Sequence, residues 1–268
     1  MIMEGKLLKE AAAIIAEAKN LVAFSGAGFS SLFRIPTCRD PGGIWDRFSP
    51  DDFGAGGLSM LTGLSKLGRQ FLKEMLTIFS QARPNPGHLA LAELERMGIL
   101  RSVITQNVDN LHIEAGNTRV IEVHGNFYRF RCLVCGAKFK LAKEDFLSLL
   151  EGIAEAPEGE DLSGLVPRCR CGGVARIDVV GFGEPVEDFP QAEAEAESCD
   201  VMLALGTSGV ITPAAFIPRF AKRAGARVIE INPTGCYFPE IIELYIGEKT
   251  GEAMPEIMKE VRRIKGAG

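Results

Sequence analysis

Short apolar runs recur along the chain and end in glycine or polar residues, a pattern typical of buried β-strands. They lie at residues 21–25, 102–106, 120–123, 201–205 and 227–231, with a weaker run at 241–246. Helical patterns occupy residues 88–97, 189–198, 213–224 and 254–264, and an amphipathic pattern covers the first 18 residues. Strands that alternate with helices predict an α/β fold, a doubly wound, Rossmann-like parallel sheet covered on both faces.

Two segments interrupt this alternation. Residues from about 31 to 83 show loops and helices and no clear strand, and residues 126–178 contain four of the seven cysteines. We therefore expect a Rossmann-like domain built from residues 1–125 and 179–268, with a helical and loop insertion at about 31–83. Residues 126–178 are expected to form a small zinc-binding module.

The module is expected to bind zinc because its cysteines form two close pairs. Cys132 and Cys135 make one pair, Cys169 and Cys171 the other, and each pair is followed by glycine. Short spacing lets two thiolates of one tight turn reach one ion, and glycine supplies the positive φ of such a turn. Four thiolates leave no open position for water, so the zinc should be structural. Unrelated buried thiols and a redox pair are the alternatives.

Charge and composition narrow the classes of partner. The chain has a net charge of -5, and residues 126–178 hold eight Lys/Arg against eight Asp/Glu. This balance gives no indication of direct nucleic-acid binding. No apolar run reaches the roughly 18 residues of a membrane-spanning helix, and the first residues lack the layout of a signal peptide. Seven cysteines, an odd number, point away from a disulfide framework. We therefore expect a cytoplasmic protein without a membrane partner.

Ligands of open α/β sheets bind at the carboxyl ends of the strands. The predicted strands end in Gly26-Ala27-Gly28-Phe29-Ser30, Gln106-Asn107-Val108-Asp109, His124-Gly125, Gly206-Thr207-Ser208 and Asn232-Pro233-Thr234. Glycines let backbone amides approach a pyrophosphate, although Ser31 occupies the last glycine position of a full G-x-G-x-x-G. Any one polar end could be a helix cap. Five of them on one edge predict a ligand with two riboses and two phosphates.

His124 is the candidate general base. It stands at a predicted strand end, precedes glycine and faces the expected cofactor edge. An imidazole has an unperturbed pKa of about 6.5, so it can accept a proton near neutral pH. His88 and His112 are interpreted as structural residues, which is the commoner role of a lone histidine.

At this point the sequence resembles the sirtuins, the NAD-dependent protein deacylases, from Leu21 to Glu252. The motifs that carry the resemblance are the strand ends given above, the cysteine quartet, Ile35-Pro36-Thr37-Cys38-Arg39, Asn110-Leu111-His112 and Val179-Val180-Gly181-Phe182-Gly183-Glu184-Pro185. Each is a modest signal, but their common order and spacing are specific.

The resemblance implies that NAD lies across the strand ends, held by Gly26, Ala27, Gly28, Ser30, Arg39, Trp45, Gln106, Asn107, Val108, Asp109, Gly206, Thr207, Ser208, Asn232, Pro233, Thr234 and Thr250. His124 is implied as the general base on a ribose hydroxyl, with Asn107 and Asp109 as further catalytic residues. The acyl-lysine peptide is implied to add as a strand beside Val180, Phe182, Gly183 and Glu184. The implied products are nicotinamide, free lysine and O-acyl-ADP-ribose.

The chain departs from the family pattern at Cys38, where a phenylalanine is usual, and at Ser31-Leu32-Phe33-Arg34, which replaces a small, polar run. A smaller residue at 38 should let nicotinamide or water return to the reacting ribose. Mono-ADP-ribosyl transfer and slow NAD hydrolysis on the same scaffold are therefore alternatives. A weakly active NAD sensor and a Rossmann dehydrogenase are further ones. The protein substrate, the preferred acyl group and the oligomeric state stay open.

Overall fold

A computed structural model describes residues 2–30, 48, 66–157, 160, 165–235 and 238–266 of the chain. The expectations for Cys38, Arg39 and Trp45 concern residues outside these ranges, as does most of the expected insertion. Within the ranges, none of the helices is long and apolar enough to cross a membrane.

The strands alternate with helices as expected. In chain order the strands are β1 (Leu21–Ser25), β2 (Leu100–Thr105), β3 (Val120–Glu122), β4 (Gly125–Cys132), β5 (Lys138–Phe139), β6 (Ala175–Val179), β7 (Val201–Leu205), β8 (Arg227–Ile231) and β9 (Leu244–Ile246). The helices are α1 (Ile2–Glu17), α2 (Lys66–Gln81), α3 (Pro86–Arg96), α4 (Leu111–Ala115), α5 (Lys143–Glu155), α6 (Phe189–Glu197), α7 (Ile217–Arg223) and α8 (Thr250–Lys265). The sequence pattern missed α4 and α5.

Six strands form one sheet in the order β3-β2-β1-β7-β8-β9, and every neighbouring pair is parallel. The doubly wound, Rossmann-like α/β fold is thereby confirmed. Its central strand β1 is buried along its whole length, which explains why its sequence reads as a continuous apolar run rather than an alternation.

The two faces of this sheet are covered by different helices. On one face Ala23 and Leu203 join a core that includes Ile257 of α8 and residues of α1 and α3. On the other face Phe24 and Met202 pack with the alanines of α6 and α7. The small side chains of α6 allow this helix to lie close to the sheet.

Strands β4, β5 and β6 form a second, antiparallel sheet in the order β5-β4-β6. Phe130 lies opposite Phe139 on one side and Ile177 on the other. This apolar row packs against Phe146 of α5 and Phe71 of α2 in a separate aromatic core. Cys132 is the last residue of β4 and Cys135 lies in the turn that follows it, while Cys169 and Cys171 lie in the turn that precedes β6.

Gly125 forms the joint between the two sheets, directly after His124. Its φ is +82°, and a Cβ at this position would lie 2.0 Å from the carbonyl oxygen of Asp178 in β6. Both the backbone conformation and the close approach of β6 therefore require glycine. This joint fixes the direction in which β4 leaves the parallel sheet.

We expect Gly125→Ala to lower the free energy of unfolding by at least about 2–4 kcal/mol, because it adds a steric overlap to a strained φ. Gly98→Ala is the matched control, since Gly98 has a φ of +71° and open space around its Cβ position. The control should lose only about 1 kcal/mol. Urea unfolding of both variants measures the difference, and equal losses would contradict the steric argument.

Candidate active site

The glycine turn after β1 lies directly on the end of β7. The Gly26 N–H donates to the Leu205 carbonyl at 3.0 Å, and the Gly28 N–H donates to the Gly206 carbonyl at 2.8 Å. A Cβ on Gly28 would lie 2.8 Å from that same Gly206 oxygen, and a Cβ on Gly206 would lie 2.2 Å from the Phe29 nitrogen. The backbones can therefore approach this closely only because both residues are glycine.

Asn107 and Asp109 join the end of β2 to the same turn. The Asn107 side-chain amide donates to the Gly26 carbonyl and to Ser30 Oγ, each at 3.1 Å. Ser30 Oγ in turn donates to Asp109 Oδ2 at 2.7 Å, while the Leu111 N–H donates to Asp109 Oδ1 at 3.0 Å. Burial raises the pKa of Asp109, and these two hydrogen bonds oppose the rise. The arrangement holds the side chains of Asn107 and Asp109 in fixed positions.

Gln106 and Thr207 connect the ends of β2 and β7, and Asn232 adds the end of β8. Thr207 Oγ1 donates to Gln106 Oε1 at 2.9 Å, and Asn232 Nδ2 donates to the Thr207 carbonyl at 3.0 Å. Seven predicted cofactor residues at the strand ends are only partly buried or exposed, namely Ala27, Gly28, Gln106, Val108, Ser208, Pro233 and Thr234. Hydrogen bonds thus join most of the predicted strand-end residues into one polar edge.

His124 belongs to this edge through Gln106. Its Nδ1 lies 3.1 Å from the backbone oxygen of Gln106. Because a carbonyl oxygen can only accept, Nδ1 must carry the proton and Nε2 the lone pair. Burial lowers the pKa of His124, and the hydrogen bond to Gln106 opposes that shift. The imidazole is therefore neutral near pH 7 and can accept a proton at Nε2.

The two other histidines lie beneath the glycine turn, and their interpretation as structural residues fits their burial. His112 Nε2 lies 2.8 Å from Ser25 Oγ, and its ring is 4.8 Å from that of His88. His88 Nδ1 accepts from the backbone N–H of Asn85 at 3.2 Å. The Asn85 side chain donates to the Phe29 carbonyl at 2.6 Å. These side chains support the turn from below.

Asn85 is a contributor that the sequence analysis did not single out. It caps α3, since its side-chain oxygen accepts from the N–H groups of Gly87 and His88. The Pro-Asn-Pro-Gly start of α3 was the available signal. Thr250, a predicted cofactor residue, is the first residue of α8 and is buried. Helix α8 contacts the turn at residues 27–29.

The segment from Val180 to Glu184 begins beside His124. The Val180 N–H donates to the His124 carbonyl at 2.9 Å. Beyond Val180 the chain turns rather than continuing as a strand, with Gly183 at a φ of +82°. Phe182 is about half exposed.

The four predicted zinc ligands converge. Their sulfur atoms all lie within 4.8 Å of one another. Cys132 Sγ and Cys171 Sγ are 3.6 Å apart, and Cys135 Sγ and Cys169 Sγ are 3.7 Å apart. A tetrahedral ion with Zn–S bonds of about 2.3 Å requires sulfur atoms about 3.8 Å apart. The cluster therefore fits a structural zinc ion, and all four positions would be filled by cysteine.

Comparison with known proteins identifies the family. The model of the Sir2 family matches residues 26–213, which is most of the chain. The chain belongs to the Sir2 family. This match confirms the resemblance to sirtuins that the sequence motifs indicated. Most of those motifs lie in the polar edge of this Sir2 protein.

Individual relatives cover nearly the whole Sir2 chain. An NAD-dependent protein deacylase of Desulfosudis oleivorans is 49% identical over 265 residues, which is 96% of this chain and 97% of that protein. A Sir2 homologue solved in complex with NAD is 35% identical, with a TM-score of 0.77 and coverage of 95% and 94%. A Sir2 structure with a deacetylated p53 peptide and 3'-O-acetyl-ADP-ribose is 32% identical, with a TM-score of 0.76 and coverage of 94% and 98%.

Buried histidines should make the Sir2 fold sensitive to acid. Burial, with a contribution from His112, lowers the pKa of His88 to about 2, and burial lowers that of His112 to about 3. The unfolded chain protonates both near pH 6.5, so stability is complete above that pH and is lost as the pH falls toward about 3. Between pH 6.5 and 5, the free energy of unfolding should fall with pH less steeply in His88→Gln than in the wild type. The two slopes should differ by up to about 1.4 kcal/mol per pH unit, since the variant lacks one buried histidine. Denaturant unfolding at several pH values measures this, and parallel curves would contradict it.

Zinc content tests the cysteine cluster. We expect about one zinc per wild-type chain and almost none in Cys169→Ser, because three thiolates leave the tetrahedral site incomplete. Cys199→Ala is the matched control, since Cys199 is buried elsewhere, against α6. Elemental analysis of the purified proteins decides the matter. A zinc-free wild type or a zinc-loaded Cys169→Ser protein would refute the assignment.

Proposed function

We propose that the protein is an NAD-dependent protein-lysine deacylase that produces nicotinamide, deacylated lysine and O-acyl-ADP-ribose. One observation carries the proposal, namely the position of a neutral histidine in the polar edge. His124 donates from Nδ1 to the backbone oxygen of Gln106, and the side chain of the same Gln106 accepts from Thr207. A purely structural edge has no need of an imidazole with an accessible lone pair. The Desulfosudis relative is named for this activity, which supports the proposal.

The residues present fit a dinucleotide. The turn from Gly26 to Ser30 brings backbone against the end of β7, as a pyrophosphate site requires. Buried polar side chains surround it at Asn107, Asp109 and Asn232. NAD, when bound, would supply an ADP-ribosyl group for transfer, with nicotinamide as the leaving group. The residues that would hold it are Gly26, Ala27, Gly28, Ser30, Gln106, Asn107, Val108, Asp109, Gly206, Thr207, Ser208, Asn232, Pro233, Thr234 and Thr250, together with Arg39 and Trp45.

His124 would act as the general base at Nε2. Its Nδ1–H is held by the Gln106 carbonyl, which fixes the tautomer and stabilises the imidazolium that forms when Nε2 takes a ribose proton. Asn107 and Asp109 would orient the sugar and the reacting groups. Their own hydrogen bonds to the glycine turn keep them in place, so little reorganisation is needed during the reaction.

The acyl-lysine peptide would bind beside Val180, Phe182, Gly183 and Glu184. This segment starts at the hydrogen bond between Val180 and His124, so a lysine side chain that enters here would reach the base directly. We further propose that residues 1–125 and 179–268 act as the NAD-binding domain and residues 126–178 as a zinc module. In this division the base lies at the junction of the two.

Mass spectrometry of products tests the proposed reaction. A panel of acyl-lysine peptides incubated with NAD should lose acyl mass and yield O-acyl-ADP-ribose and nicotinamide. Radiolabelled NAD tests the transferase alternative in parallel, because ADP-ribosyl transfer leaves label on protein, whereas deacylation leaves it on a small ester. Label on protein without loss of acyl mass would overturn the proposal.

His124→Ala should lower the deacylation rate by about 10²–10⁴-fold, because it removes the base, while NAD still binds. In the wild type the rate should fall on the acidic side with a midpoint below about 6.5, since burial lowers the pKa of His124. Steady-state rates across pH and calorimetric titration with NAD measure the two effects. An unchanged rate in the variant would remove His124 from the mechanism.

A further inference from the structure

The small sheet carries three cations in one row. Arg131 of β4 lies directly opposite Lys138 of β5 and directly opposite Arg176 of β6. These residues alternate with the apolar row around Phe130, so they occupy the face turned away from the aromatic core. Like charges that face each other on adjacent strands repel and destabilise a sheet. The row therefore needs neighbouring anions.

The anions come from the segment that follows β6. Glu184 accepts two contacts from Arg176 Nη2, at 2.7 and 2.9 Å. Glu187 pairs with Arg131, and Asp188 Oδ2 lies 3.2 Å from Lys138 Nζ. Each cation of the row thus holds one carboxylate of residues 184–188, and the segment is attached to the zinc module at three points.

The pair formed by Arg176 and Glu184 also makes hydrogen bonds to the backbone at residues 179–181. Arg176 Nη1 donates to the Val179 carbonyl at 2.7 Å. Glu184 Oε2 accepts from the Gly181 N–H at 2.8 Å, which closes the turn at residues 181–184. Only 8% of the Arg176 side chain is exposed, against 23% of Arg131 and 31% of Lys138. Of the three pairs, this one is the best shielded from solvent.

The attached segment is the one that begins beside His124. Val180 binds the His124 carbonyl, and the carboxylates that follow bind the three-cation row. We propose that Arg131, Lys138 and Arg176 are positioning residues that hold residues 180–188 in the conformation that receives the acyl peptide. This inference rests on the proposed deacylase function. It gives the zinc module a role in substrate binding that is separate from metal binding.

The first test is Glu184→Gln, which keeps the shape of the side chain and removes its charge. We expect the KM for an uncharged acyl-lysine peptide to rise about tenfold, with kcat within about twofold and NAD affinity unchanged. Lys138→Met, which breaks a more exposed pair, should raise the KM by about twofold or less. Hydrogen exchange of the peptide-free Glu184→Gln protein should accelerate in residues 180–188, a change that loss of a direct contact between Glu184 and the peptide would not cause.

A matched control and a double variant separate positioning from general stability. Glu243→Gln removes the carboxylate of an exposed pair with Arg227, 2.7 Å long, at the opposite edge of the large sheet from the active site. Its peptide KM should match wild type. Arg176→Lys keeps the charge and should retain part of the affinity. Adding Arg176→Lys to Glu184→Gln should raise the KM by less than the product of the two single effects, because both changes weaken the contact between these two residues.

Two different failures can be told apart. A wild-type protein that releases no free lysine from any peptide in the panel refutes the proposed function, and the inference with it. The inference alone is refuted by a different result. In that case the wild type deacylates, but the peptide KM and the hydrogen exchange of Glu184→Gln equal those of the wild type. A variant that loses kcat, NAD affinity and thermal stability together also refutes it, because this result indicates a purely structural pair.

Discussion

The contact between two glycines, Gly28 and Gly206, determines how the polar edge is assembled. A side chain on either residue would overlap the opposite backbone, so this contact sets the separation between the turn after β1 and the end of β7. Thr207 reaches Gln106 beside Gly26, where a Cβ would lie 2.9 Å from Thr207 Cβ and 3.0 Å from Gln106 Oε1. The chemistry of the site therefore depends on the absence of two side chains as much as on the polar groups present.

The same edge is supported from two directions. Below it, Asn85, His88 and His112 form a buried layer under the glycine turn. Beside the edge, the positive φ of Gly125 directs β4 into the small sheet. Strand β6 pairs with β4, and Val180, the residue after β6, lies next to His124. Each support includes a hydrogen bond, from Asn85 to the Phe29 carbonyl and from Val180 to the His124 carbonyl, and such bonds favour one arrangement of the backbone. His124 is thereby held by the large sheet and by the small sheet together.

Sequence reasoning found the strands of the large sheet because burial on both faces leaves continuous apolar runs, as at β1 and β7. It found the zinc ligands because two close cysteine pairs, each followed by glycine, are typical of a metal site. It missed α4, which is only five residues long and starts from Asn110 with a φ of +67°, because so short a helix shows no period. The three-cation row was also invisible, since the register that aligns Arg131 with Lys138 and Arg176 is a tertiary property.

The hydrogen bond from Val180 to the His124 carbonyl has a thermodynamic consequence. His124 contacts the proposed peptide-binding segment through its backbone oxygen and the polar edge through its ring. Any free energy with which one ligand stabilises this shared geometry must also favour the other ligand, because linkage between two binding sites is reciprocal. In the proposed enzyme, the factor by which bound NAD changes the affinity for the peptide would therefore equal the factor by which bound peptide changes the affinity for NAD.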